Sequence, residues 1–218
     1  MKRIILIVCI LFMISSCEIQ YDGETKIVVT GKILDENNAP LSEKDINITI
    51  YSDGLYTPSD LISFGKSDQN GNFTLIFPAP KVDYKFLILI NNLINQTNEF
   101  QPKDISAKRN NFDNYTLDLG KIILYQKKSI TTLQLILNKT SSNKQIKDIK
   151  IEGKQANYYI NLNPIPDNSN YFQTYYNVIK NQTIVLKYTI IDYLNNNSTV
   201  QSITIPIVNE AVTYTITY

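Results

Sequence analysis

Oxygen-bearing side chains at every second position can wrap one side of a hard cation, and Asp68, Asn70 and Asn72 stand at that spacing. The rest of a calcium loop is missing. Phe73 occupies the position of its glycine and Ala79 the position of its bidentate glutamate. The same residues suit a hairpin turn, because Asn70-Gly71 supplies the positive φ angles a tight connection needs, and this is the preferred reading. Histidine is absent from all 218 residues. That removes the usual general base, the commonest zinc ligand and the middle member of a Ser-His-Asp arrangement. Acidic residues are scattered singly, so no spacing sets up a glycosidase carboxylate pair. Gly54, Gly65 and Gly71 are isolated and open no phosphate-binding helix. The chain therefore reads as no enzyme, with no metal and no cofactor. Tyr158, Tyr159, Tyr171, Phe172, Tyr175 and Tyr176 form an aromatic cluster. Its tyrosines are the expected binding surface for sugar or peptide, the alternative being a core role. Neighbouring pairs such as Tyr158-Tyr159 must face opposite sides of a strand, so at least one member of each pair is expected outside.

The remaining reactive residue is Cys17. Lys2 and Arg3 precede an apolar run from Ile4 to Ile14, and Ser15 and Ser16 follow it. Eleven apolar residues at about 1.5 Å each cover roughly half of a hydrocarbon core about 30 Å thick, too little to span it. A basic start, a short apolar stretch and small residues before a cut describe a secretory signal peptide. Cys17 after Ile14-Ser15-Ser16 resembles the lipobox of bacterial lipoproteins. That resemblance implies cleavage before Cys17, lipidation of its thiol, and a soluble module tethered to the membrane through it. The other cysteine, Cys9, lies in the discarded segment, so no disulfide is expected and stability must come from apolar cores. The formal charge is +1, from 21 basic and 20 acidic residues. Loss of Lys2 and Arg3 leaves 19 against 20, a net charge of −1, which disfavours nucleic acid as a partner.

The elements that must position these residues are strands. Ile46-Ile48-Ile50 and Phe73-Leu75-Phe77 alternate with polar neighbours, as does the run from Ile27 to Ile33. Asp35 to Pro40 and Ser67 to Asn72 are turn segments between them. Further apolar runs cover Tyr84–Ile90 and Tyr115–Tyr125, and no mature segment keeps a 3.6-residue period. The pattern resets after Gln126-Lys127-Lys128-Ser129. Seven apolar runs follow, at 130–137, 146–151, 158–162, 171–178, 184–194, 200–208 and 212–218, which suggests a second, Ig-like sandwich. No internal repeat stands out, and pairing of strands across the two sandwiches stays open.

The first half resembles the carboxypeptidase regulatory-like domain, a transthyretin-like or prealbumin-like sandwich. The resemblance rests on Val29-Thr30-Gly31-Lys32-Ile33-Leu34-Asp35 with Ala39-Pro40-Leu41 as opening strand and turn, on Phe64 to Phe73 as central hairpin, and on Leu117 to Leu124 as closing strand. The longer, polar stretch from Ile50 to Gly65 departs from it. The resemblance implies a β-sandwich that accompanies other proteins as a non-catalytic accessory. The chain is thus expected to be all-β, with a signal peptide over 1–16, a lipidated tether over 17–25, a carboxypeptidase regulatory-like sandwich over 26–126 and an Ig-like sandwich over 127–218. The expected function is a binding or structural lipoprotein of the cell envelope, at the outer membrane, with an envelope protein or glycan as partner. A carboxylate-dependent glycan hydrolase and a surface adhesin are the alternatives.

Overall fold

The computed structural model describes residues 19–51, 58–92, 99–164 and 172–218. The signal segment, Cys17 and Tyr171 lie outside them. The chain is all-β, as expected, and no α-helix occurs among the described residues. The first half supplies β1 (Tyr21–Leu34), β2 (Asp45–Tyr51), β3 (Ser59–Lys66), β4 (Asn72–Pro80), β5 (Lys85–Ile90), β6 (Lys103–Lys108) and β7 (Thr116–Ile123). The second half supplies β8 (Ile130–Asn138), β9 (Lys144–Glu152), β10 (Tyr159–Asn161), β11 (Tyr175–Ile179), β12 (Gln182–Asp192), β13 (Asn197–Ile207) and β14 (Val212–Thr217).

Period-two alternation puts one face of each strand inside. Ile46, Ile48 and Ile50 of β2 are fully buried, as are Ile88 and Ile90 of β5, and Phe73, Leu75 and Phe77 of β4 meet them from the other sheet. The sheets are β4-β1-β7 and β10-β6-β5-β2-β3 in the first half, and β11-β8-β14 and β13-β12-β9 in the second. In each half the first strand lies mid-sheet. It runs parallel to the last strand of its half and antiparallel to a middle one: β1 with β7 and β4, β8 with β14 and β11. The second half therefore repeats the strand order of the first, a repeat that single-residue comparison along the sequence does not reveal. Two separate apolar cores result, one from Ile19 to Leu124 and one from Leu133 to Ile216.

One strand breaks the repeat. β3 pairs with β2, but β10, which occupies the corresponding place in sequence, leaves its own half and pairs parallel to β6. Asp104 N donates to Tyr158 O at 2.7 Å and Leu162 N to Ser106 O at 2.9 Å, while Ile160 and Leu162 pack against the first core. Asn111 and Asn163 join their side-chain amides beside this strand.

The N-terminal tether expected over 17–25 needs correction. Tyr21 and Asp22 already pair with Pro80 and Ala79, and Ile19 is only 6% exposed, inside the first core. A bulge between Asp22 and Lys26 hides this from a period-two reading. It is held by Asp22, whose carboxylate accepts from Glu24 N at 3.0 Å and from the Thr25 hydroxyl at 2.5 Å. Those bonds hold the Asp22 carboxyl below its ordinary pKa.

Candidate functional site

The Asp68 segment is a turn. Asp68 Oδ1 accepts from Asn70 N and Asn72 N, both at 2.8 Å, and Gly71 N donates to Asp68 O at 2.9 Å. Gly71 has φ +78°, and a Cβ there would lie 2.3 Å from the Ile33 carbonyl oxygen. Asn72 reaches its amide to Asp68 Oδ2 at 3.5 Å, so both Asp68 oxygens are engaged within the turn, which leads from β3 into β4 of the other sheet and is not the hairpin expected. Among the described residues no group of three or more acidic or sulfur ligands gathers.

The tyrosines divide. On β11, Tyr175 is 59% exposed and accepts from Gln134 Nε2 at 2.8 Å, whereas Tyr176 is 9% exposed and packs in the second core. The Tyr176 hydroxyl donates to Gln173 O at 2.7 Å, and burial raises its pKa. Tyr176 therefore leaves the expected binding surface, for the reason that neighbours on a strand face opposite ways. Tyr158 and Tyr159 are exposed, but they belong to the segment that crosses to β6. Tyr159 and Tyr175 are thus carried by sheets of different halves, while just before Tyr158 the chain runs antiparallel to β11, with Gln155 bridged to Val178 and Ala156 N donating to Asn177 O at 2.8 Å.

Two clefts that motif reading did not single out lie in the first sandwich. The first, of about 340 Å³, opens at the end where β1 begins, between Asp22, Thr25, the Pro80–Tyr84 connection, Arg109 and Tyr115. Arg109 sits in a 3-10 turn (Arg109–Asn111), pinned by Phe112, whose ring meets Phe86 at 4.9 Å. Asp113 and Thr116 exchange backbone bonds of 2.9 and 2.7 Å across a two-residue hairpin turn. Its central Asn114 and Tyr115 have φ of +44° and +65°. Left-handed backbone suits asparagine but disfavours a bulky ring. Tyr115 holds it nonetheless and presents its face to the Arg109 guanidinium, whose carbon lies 4.0 Å from the ring centroid. Among the described residues the Arg109 guanidinium has no carboxylate within ion-pair distance. The signal that marks the turn is Asp113-Asn114, a pair of turn residues directly before the apolar run that starts at Tyr115.

The second cleft, of about 180 Å³, lies between β6, β7 and the crossing strand, with Ile105, Ile122, Ile160 and Leu162 on its walls. Lys103 lines it at 7% exposure with no ion pair among the described residues, and burial lowers its pKa. Two residues upstream, both side-chain amide atoms of Gln101 are buried without a hydrogen-bond partner among the described residues. Asp118, at the same cleft, accepts from the Thr30 hydroxyl at 3.2 Å and Gly120 N at 2.9 Å. Neither cleft brings together a nucleophile, a base and an orienting group.

No family model matches the chain, and no curated protein matches it either. Solved structures with similar stretches include a point mutant of the shaft pilin SpaA from Lactobacillus rhamnosus GG, at 10% identity over 88% of this chain and 98% of that one, with a TM-score of 0.35. A putative cell adhesion protein from Bacteroides fragilis is 11% identical over 88% of this chain and 92% of that one, with a TM-score of 0.26. A 9R-lipoxygenase from Cyanothece is 22% identical over 54% of this chain at a TM-score of 0.30, and this chain spans only 20% of its length.

Proposed function

We propose that the protein is a lipid-anchored module of the bacterial envelope, held at the outer membrane through Cys17. In this reading it has no catalytic role and binds an envelope protein or a glycan, or braces a larger surface assembly. The first sandwich is a carboxypeptidase regulatory-like domain in this proposal, with its opening strand β1 lying parallel to its closing strand β7. The observation that carries the reading is the junction at the front of the chain. A basic, short, apolar segment ends in Cys17, and two residues later Ile19 enters a folded core. Eleven apolar residues are too few to span a bilayer, whereas a cut before Cys17 leaves a folded domain next to its own anchor. Two acyl chains or more hold a protein on a bilayer durably, at about 0.8 kcal/mol per buried methylene. Among the described residues no helix is long and apolar enough to cross a membrane.

Cys17→Ala tests the anchor. The variant is expected in the soluble fraction after cells are broken and fractionated, and a variant that stays with membranes at the wild-type level contradicts the proposal. Pull-down from detergent-solubilised envelopes then tests the binding role through the partner it recovers.

A further inference from the structure

We propose that the β1 end of the first sandwich is a membrane-facing surface that rests on phospholipid headgroups, with Arg109 and Lys81 taking lipid phosphate and Val82 reaching the acyl boundary. The proposal rests on acylation of Cys17 and adds to it which face meets the bilayer.

The short reach from Cys17 fixes which end meets the bilayer. Tyr21 follows Cys17 by only four positions, and a fully extended chain of that length covers no more than about 14 Å. Tyr21 pairs with Pro80, and Lys81 N donates to Gln20 O at 2.9 Å. The Pro80–Tyr84 connection is thereby fastened to the first residues of the folded chain. An acylated Cys17 would hold this end, and not the far end of the chain, against the interface. The residues there fit that neighbour. Val82 is 61% exposed at the rim of a cleft that also carries Lys81, Tyr84, Arg109 and Tyr115. An apolar tip with tyrosine rings and cations around it matches the layered chemistry of a bilayer surface. Arg109 is held over the face of Tyr115 and lacks a carboxylate among the described residues, so its donors remain for a phosphate. Of the acids on the same rim, Asp22 has both carboxylate oxygens engaged within the bulge, and Asp83 lies on the exposed connection. The rim carries two cations, Lys81 and Arg109, against two carboxylates, Asp22 and Asp83, so its charges balance and the surface takes headgroup phosphate without selecting anionic over zwitterionic lipid.

The chain contains no tryptophan, which makes a single introduced one a clean reporter. Val82→Trp is placed in the acylated full chain and reconstituted in vesicles of phosphatidylethanolamine and phosphatidylglycerol carrying brominated acyl chains. Leu194→Trp, at an exposed turn of the second half, is the control, and the acyl mass of each sample is measured first. The proposal expects blue-shifted and strongly quenched emission from the Val82→Trp variant and neither effect in the Leu194→Trp control. Arg109→Ala and Lys81→Ala are each expected to lower the docked-to-undocked ratio about fivefold without releasing the protein. An acylated Val82→Trp sample that emits like the Leu194→Trp control overturns the proposal while leaving the anchor intact. A sample with no acyl mass overturns both.

Discussion

Adjacent residues of the same type have different jobs here, and substitution separates them. Tyr176→Ala is expected to cost about 3 kcal/mol in urea denaturation, because it empties part of the second core. Tyr175→Ala should stay within about 0.5 kcal/mol of the parent. Equal effects of the two would contradict the placement of one ring inside and the other outside. Gly71→Ala forces a left-handed Cβ onto the Ile33 carbonyl oxygen and is expected to cost about 2 kcal/mol or more, read by thermal melting. Lys103 gives a pH signature. Burial depresses its folded-state pKa below the 10.5 of the unfolded chain, so between those two values the unfolded chain holds a proton that the folded one has released. Stability contributed through this residue therefore rises with pH across that window and is level below it. Lys103→Met should remove the rise and add about 1–3 kcal/mol at neutral pH. A variant no more stable than the parent would show that the ammonium is adequately solvated.

At the scale of elements, alternation carries most of the information. Ile46, Ile48 and Ile50 announce β2, the Asn70-Gly71 pair announces the β4 entry, and seven apolar runs after residue 127 answer to β8 through β14. What alternation leaves out is which edge a strand joins. Tyr159–Asn161 is too short to specify a partner by its own pattern, and its destination is set by Ile160 and Leu162 meeting the first core. The start of β1 is equally hidden, because Gly23, Glu24 and Thr25 bulge out and break the period. The Arg109 and Lys103 clefts are illegible for a related reason: each depends on residues from separated strands, and neither forms a local motif. Ile160→Asp is expected to detach the crossing strand. Amide exchange at Asp104 and Leu162 should then speed up while core amides such as Ile88 and Leu186 keep their protection. Unchanged protection at Asp104 would mean that the β10 contact does not depend on that side chain.

The molecule as a whole is two sandwiches of one strand order joined by a short connection and a crossing strand. Glu36 reaches over the connection, accepting from Gln126 N at 3.4 Å and the Ser129 hydroxyl at 3.2 Å, and β10 ties the halves at a second place. Two ties resist bending better than one linker. Whether the chain is anchored turns on the residue at which the mature protein begins. Intact-mass measurement of the protein isolated from its own cells decides this most directly. The proposed anchor predicts a chain that starts at Cys17 and carries acyl mass on that residue, whereas a product that retains Met1 through Ser16 and bears no acyl group would contradict it.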